Sequence, residues 1–302
     1  SRRSQLYRVK ELVSGRVLAM KTPSRNFEGD LSYIDRFIQE EWIGSRISSP
    51  NVVSVVPQQR PRTALYYLMD YVEGVGLDRW IEQHQPPSPR KAIALVKQIV
   101  SGLQAFHDNE ALHQDLKPAN VLICDPQSET PRAVIVDFGS VYVAGLAELQ
   151  RPLEHDGALG TVSYADPMYM LGQNPGIAGD AYALETVTYE MFTGHLPYGD
   201  KVEDCRAARD YDRLRYISAS ELNPVIPVWF DRALEKGVHF DLEQRYGTLG
   251  DLLKDLTQPN ADFLRDDPVT ERKANTEMFW KLLSGFWFCT LILVIYLFYQ
   301  VT

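Results

Sequence analysis

The sequence predicts an α+β chain in two lobes, a small β-rich lobe ahead of a larger, mainly helical one, with one apolar helix at the C-terminal end. Three observations carry this. Short strand-like runs dominate residues 1 to about 70, with a single helical pattern among them. From Ser88 onward, apolar residues recur at helical spacing over long stretches. Finally, Leu282 to Tyr299 contains no charged residue.

The elements follow in order. Leu6 to Lys10 and Val17 to Lys21 read as strands around a turn at Ser14-Gly15-Arg16. Ile34, Phe37, Ile38, Glu41 and Trp42 lie at helical spacing, and Pro50-Asn51 ends that pattern. Val52 to Val56 and Tyr66 to Met69 are strand-like again. Beyond Tyr71-Val72-Glu73-Gly74 the character changes. Ser88-Pro89 is a helix start, with a capping serine and a proline at the first helical position. Ile93, Val96, Ile99, Val100, Leu103 and Phe106 mark its buried face. Val121 to Ile123 and Val134 to Val136 are short strands. After Asp180 the pattern is mostly helical and closes on Leu249, Leu252, Leu253 and Leu256. The working domain is therefore 1–256, with a small lobe of about 1–70 and a large lobe of about 71–256. A polar juxtamembrane linker, 257–277, carries Pro259, Pro268 and several charges. A transmembrane helix is predicted over 278–300.

Composition excludes several classes. The chain has 302 residues, 45% hydrophobic and 24% charged, which is ordinary for a globular protein and wrong for a disordered, collagen-like or multi-span chain. A formal charge of −9 argues against non-specific binding to nucleic-acid phosphates. Cys124, Cys205 and Cys289 are far apart, with no CxxC spacing, so free thiols in a reducing compartment are expected. No histidine pair has metal-ligand spacing. The 18 residues Leu282 to Tyr299 would span ~27 Å as a helix, close to the hydrocarbon thickness of a bilayer. Trp280, Tyr296 and Tyr299 sit near its ends, and Arg272, Lys273 and Lys281 precede it. The positive-inside tendency then keeps the large N-terminal part cytoplasmic, at the inner face of a cell membrane.

Three local features carry chemistry. Lys21 ends an apolar strand, Val17-Leu18-Ala19-Met20-Lys21, where a fixed ammonium can neutralise nucleotide phosphates. His113-Gln114-Asp115-Leu116-Lys117-Pro118-Ala119-Asn120 places a proton-accepting carboxylate, a lysine and a metal-binding amide within six residues. Asp137-Phe138-Gly139 follows a short strand and offers a carboxylate to Mg²⁺.

In these motifs and their order the chain resembles the eukaryotic-like bacterial Ser/Thr protein kinases, so the two lobes are expected to form a bilobal protein-kinase-like fold. The resemblance runs from residue 4 to about 256. It extends to Gly160-Thr161-Val162-Ser163-Tyr164, to Asp180-Ala181-Tyr182-Ala183-Leu184 and to Arg245-Tyr246. It implies the following roles. Asp115 orients and deprotonates a substrate hydroxyl, with Lys117 and Thr161 in support. Asn120 and Asp137 hold Mg²⁺, with Mn²⁺ as the alternative. Lys21 contacts the ATP phosphates and is held by Glu40, ten residues before Pro50, or by Glu41 one residue on. Met69 is the gatekeeper, and Asp70, Tyr71 and Val72 form the hinge for adenine. Lys117 and Thr161 mark Ser/Thr specificity.

Three departures from the family's pattern stand out. The glycine-rich loop is missing as such: its last two glycines fall on Ser1 and Ser4, so the chain is read as a fragment beginning inside that loop. Gln114 replaces the arginine that contacts a phosphorylated activation loop. Asp166-Pro167-Met168 stands where the family has Ala-Pro-Glu, which takes the usual partner from Arg245. Asp166, or another nearby carboxylate, is expected to replace it, because an unpaired buried arginine is costly. Together with the terminal span, these departures resemble a narrower bacterial group, in which a metal-dependent type 2C phosphatase domain precedes the kinase domain. The expected partners are ATP, a protein substrate, a lipid bilayer through the C-terminal helix and such an upstream phosphatase domain, with no nucleic acid. Two competing readings remain: a pseudokinase scaffold or nucleotide sensor that regulates an attached phosphatase, and a small-molecule kinase. Against the second stand Lys117-Pro118 and Gly160-Thr161.

Overall fold

The computed structural model describes residues 4–27, 30–58, 62–143, 162–265 and 283–284. The chain divides into two compact units, Ser1–Gln258 and Pro259–Thr302.

The first unit opens with β1 (Ser4–Lys10) and β2 (Val17–Pro23), antiparallel, with Lys10 opposite Val17. Gly15 closes the hairpin at φ +74°, a conformation that costs glycine little. Helix α1 (Leu31–Gly44) starts at Asp30, whose carboxylate accepts the Ser32 and Tyr33 amides at 3.0 and 3.1 Å. It buries Tyr33, Phe37, Glu40 and Ile43. β3 (Val55–Val56) and β4 (Tyr67–Asp70) complete a sheet in the order β1-β2-β4-β3. Gly44 lets the end of α1 lie against this sheet, since a Cβ there would stand 2.5 Å from Val55 Cγ2.

The strand expected over Val52–Val56 is only half formed. Val52 and Val53 use their backbone elsewhere: Val53 donates to the Ile135 carbonyl and Ile135 to the Asn51 carbonyl, both at 2.8 Å. The Asn51 side chain adds a bond to the Ala133 carbonyl at 2.9 Å. These bonds tie the small lobe to the large one.

The large lobe begins with β5 (Val75–Gly76), α2 (Leu77–Gln83) and α3 (Pro89–His107). Ser88 occupies the cap position of α3, but its hydroxyl makes no capping bond; Pro89 at the first turn supplies the preset φ instead. β6 (Ala111–Leu112), β7 (Val121–Cys124), β8 (Arg132–Ile135) and β9 (Tyr142–Val143) form two small sheets, β5-β7-β8 and β6-β9. Then come α4 (Pro167–Met170), α5 (Ile177–Thr193), α6 (Ala208–Tyr211), α7 (Ala219–Leu222), α8 (Val228–Gly237) and α9 (Leu249–Thr257). α5 is buried on nearly every side and packs on α3, α8 and α9. The second unit contributes α10 (Ala261–Arg265). The described elements thus form the expected bilobal α+β arrangement, a small sheet-bearing lobe followed by a mainly helical one.

Among the described residues no helix is long and apolar enough to cross a membrane. The span expected over 278–300 lies almost wholly outside the described residues, as does Thr161.

Two carboxylates sit inside α5 with no exposure, Asp180 and Glu185. Asp180 is fully engaged. Glu185 is not: among the described residues neither of its oxygens has a hydrogen-bond partner. Gly237 on α8 makes room for it, since a Cβ there would lie 2.2 Å from Glu185 Cγ. Burial, and then the Asp255 charge, push the Glu185 carboxyl well above the ordinary carboxylate range. The folded state therefore binds this proton more tightly than the unfolded one. The stability it contributes is complete below the unfolded pKa and is lost as pH rises through the folded one. Glu185→Gln is expected to flatten the fall of melting temperature between about pH 5 and about pH 8, and to raise it at the upper end by about 3 °C. Thermal melts across that range check this; parallel curves for the two proteins would count against a neutral Glu185.

Candidate active site

The upper half of the site is built by β2, β4 and α1. Lys21 lies opposite Tyr67 in the β2–β4 register, so its side chain enters the space under the sheet beside α1. Its Nζ meets Glu40 Oε2 at 2.7 Å and Asp137 Oδ1 at 3.0 Å. Glu40 reaches it from the buried face of α1, while Glu41 turns away into a bidentate pair with Arg62. The structure therefore brings Glu40, not Glu41, to the lysine. Burial pulls the Lys21 pKa down, but the Asp137 and Glu40 carboxylates outweigh it and hold the ammonium well above its ordinary value. Burial likewise raises Asp137, and Lys21 outweighs it, leaving this carboxyl below its usual range. Both groups stay charged at neutral pH.

The lower half hangs on Asp180. Its Oδ2 accepts the His113 amide at 2.9 Å and its Oδ1 the Gln114 amide at 2.8 Å. His107 Nε2 stands 2.8 Å from Oδ2. Gln114 adopts φ +60°, uncommon for a non-glycine residue, and these bonds offset the strain. His113 Nδ1 accepts the Asp115 amide at 3.3 Å, and its ring packs edge-on against Phe106, so this histidine is structural. Lys117 Nζ contacts Asp115 Oδ2 at 2.7 Å. The Asn120 amide donates to the Asp115 carbonyl at 2.8 Å and to Asp115 Oδ2 at 3.2 Å. Asp115 Oδ1 accepts no bond among the described residues, whereas Oδ2 accepts two.

The two halves meet at Asp137. The Val136 amide donates to the Asn120 carbonyl at 3.0 Å, which places Asn120 beside the segment carrying Asp137. Gly139 donates its amide to Asp137 Oδ1 at 3.1 Å, and Phe138 packs on Phe106 in the core. On the hinge side, Met69 is buried in β4. Asp70 pairs with Arg16, and Tyr71 lies under Arg8, whose guanidinium stands 5.1 Å from the ring centroid. Residues 71–74, Val72 among them, form no regular structure.

A divalent cation fits the residues present. Lys21 and the Gly139 amide occupy Asp137 Oδ1, and Asn120 uses its amide nitrogen; Asp137 Oδ2 and Asn120 Oδ1 carry no hydrogen bond among the described residues. These two hard oxygen donors suit Mg²⁺, and Asp137 and Asn120 are the residues that would hold it.

Asp166 answers the question of the Arg245 partner. It forms a bidentate pair with the guanidinium, Nη2 to Oδ1 at 3.2 Å and Nη1 to Oδ2 closer still. Arg245 also donates to the His239 and Phe240 carbonyls and lies 4.9 Å from the Tyr182 ring centroid. Asp166 accepts the Met168 amide at 2.8 Å as the cap of α4. One residue thus replaces the expected glutamate and starts the helix as well.

Two lobes that close such a set between them define a class, the nucleotide-dependent phosphotransferases built on the protein kinase fold. Solved structures share it. The kinase domain of Mycobacterium tuberculosis PknI superposes with a TM-score of 0.64 at 20% identity, covering 86% of this chain and 92% of that one. The Rad53 kinase domain gives 0.66 at 19%, covering 84% and 87%. The family model described as the protein kinase domain matches residues 2–262, and the chain belongs to that family. Its relatives are serine/threonine kinases. PknE of Mycobacterium tuberculosis is 32% identical over 248 residues, 82% of this chain and 42% of the relative. PrkC of Bacillus subtilis is 28% identical over 268 residues, 88% of this chain and 40% of the relative. The chain carries a protein kinase domain and spans about two-fifths of the length of these curated relatives.

Proposed function

We propose that this chain transfers the γ-phosphoryl group of ATP to a serine or threonine hydroxyl of a protein. One observation above all supports the reading: Lys21, Glu40 and Asp137 form a connected charge set, and Asp115, Lys117 and Asn120 form a second beside it. In the reaction the substrate oxygen bonds to the γ-phosphorus, the bond to the β–γ bridging oxygen breaks and ADP leaves. Asp115 Oδ1 takes the hydroxyl proton. Lys117 steadies that carboxylate and offers positive charge to the moving phosphoryl group. Lys21, kept cationic by two carboxylates, meets the α- and β-phosphates. Met69 and Asp70 to Val72 receive the adenine, and Thr161 supports Asp115. Asn120 and Asp137 would hold Mg²⁺, which would supply neutralising charge to the phosphates. Catalysis of this kind is positioning and electrostatics. Gln114 brings no cation to a phosphorylated activation segment, so such a phosphate is not required for activity. The test incubates the full chain with labelled ATP, Mg²⁺ and a generic basic protein, beside Asp137→Ala. Transfer by the first and none by the second is the expected result; ATP binding without transfer by either would favour a nucleotide-sensing scaffold.

The reading extends to location. The uncharged stretch Leu282–Tyr299 anchors the kinase at the inner face of a cell membrane, with a type 2C phosphatase domain upstream in the whole protein. Deleting 278–302 is expected to move the protein from the membrane fraction to the soluble one. Unchanged fractionation would remove the anchor.

A further inference from the structure

Tyr67 belongs to none of the motifs described above, yet it is fully buried at the centre of the upper half-site. It lies on β4 across from Lys21. Its ring packs on Phe37 of α1 with centroids 5.2 Å apart, and Lys21 Nζ stands 6.0 Å from the ring centroid. Its hydroxyl donates to Glu40 Oε2 at 2.9 Å, the same oxygen that accepts Lys21 at 2.7 Å. One carboxylate oxygen of α1 is thus held by donors from two neighbouring strands.

The two donors are not equivalent. Lys21 divides its ammonium between Glu40 and Asp137, and it has to reorient toward phosphates when a nucleotide enters. Tyr67 has no such second task. Burial, and then the Glu40 charge, push its phenol well above the ordinary value, so it remains an O–H donor at any working pH. A hydroxyl with no exposure loses its desolvation cost only by keeping its partner. The bond therefore persists while the contacts of Lys21 change.

We propose that Tyr67 is a positioning residue of the transfer site: its hydroxyl latches Glu40, and with it α1, to the sheet, so that Lys21 stays aimed at the nucleotide without an outside activator. This rests on the phosphotransfer reading of the cleft. The latch is local chemistry of this chain, and it complements Gln114: a kinase with no arginine to sense a phosphorylated segment holds its own helix inward.

Tyr67→Phe removes the hydroxyl and keeps the ring, so the packing against Phe37 survives. In the full chain, kcat is expected to fall about tenfold, as for loss of a hydrogen bond to a charged group, with KM for the protein substrate unchanged. Amide exchange in Leu31–Gly44 is expected to accelerate about threefold or more. Because the hydroxyl acts through Glu40, Tyr67→Phe added to Glu40→Gln should cost little further activity. Additive losses in that cycle would overturn the proposal, since they would mean a general packing defect. Wild-type kcat together with wild-type exchange in Tyr67→Phe would overturn it as well. If the wild-type chain transfers nothing, the phosphotransfer reading falls, and the exchange rates of α1 alone decide the latch. If Tyr67→Phe lowers the melting temperature, the cycle at a permissive temperature separates positioning from stability.

Discussion

Asp137→Ala is expected to reduce phosphoryl transfer by at least about 10³-fold while leaving the fold in place. The geometry sets both halves of that expectation. Asp137 is the point at which the two halves of the site are joined electrostatically, through Lys21 at 3.0 Å. It is also a carboxylate with an oxygen to spare for a metal ion. Asp115 cannot take its place, because Lys117 and Asn120 already hold Asp115 Oδ2 and the proposed transfer reserves its other oxygen for the substrate hydroxyl. The fold survives because the side chain is 37% exposed at the cleft and its removal leaves Lys21 paired with Glu40. No isolated charge is created, so the melting temperature should move by only a few degrees. A phosphotransfer assay with labelled ATP, paired with a thermal melt, checks both. Undiminished turnover would end the assignment of Asp137.

Arg245→Met should have the largest effect on stability. The guanidinium and Asp166 are both buried, 1% and 0% exposed at the side chain. Removing the cation strands a carboxylate inside the large lobe, which costs about 3–5 kcal/mol. At the sensitivity of a domain of this size, that is a fall of about 10 °C in melting temperature. The effect is not the worth of the ion pair. Asp166→Leu added to Arg245→Met removes the stranded charge and should recover part of the loss, though α4 then lacks its cap. A double mutant no more stable than the single one would show that the carbonyl bonds of Arg245, and not the charge, matter most.

Much of the site was legible because the chemistry is local in the chain. Asp115, Lys117 and Asn120 lie within six residues, and their contacts need only one tight loop. The Lys21–Glu40 pair was legible by a different route, spacing within a known pattern, since nothing local favours Glu40 over Glu41. The fold decides between them by helical phase: Glu40 shares the buried face of α1 with Tyr33, Phe37 and Ile43, and Glu41 lies a hundred degrees away beside Arg62. Asp166 was an expectation drawn from a missing partner, and the structure supplies the contact across 79 residues. Tyr67 went unread because its role depends on cross-strand register, which a sequence does not display. The alternation of strand β4 held the only trace: Tyr67 and Met69 point to the same face, so a hydroxyl faces inward two residues from the gatekeeper position. Glu185 was invisible for a similar reason. The space it occupies is left by Gly237, far along the chain.

The Asp180 carboxylate has a mechanical consequence. By gripping two successive amides of the loop that carries Asp115, it makes that loop ride with α5, the most deeply enclosed helix of the large lobe. The reacting carboxylate then has little compliance of its own. The stretch 71–74 between β4 and β5 has no such grip: it forms no regular structure, so lobe motion in a cleft of this kind would fall there and not on the Asp115 loop.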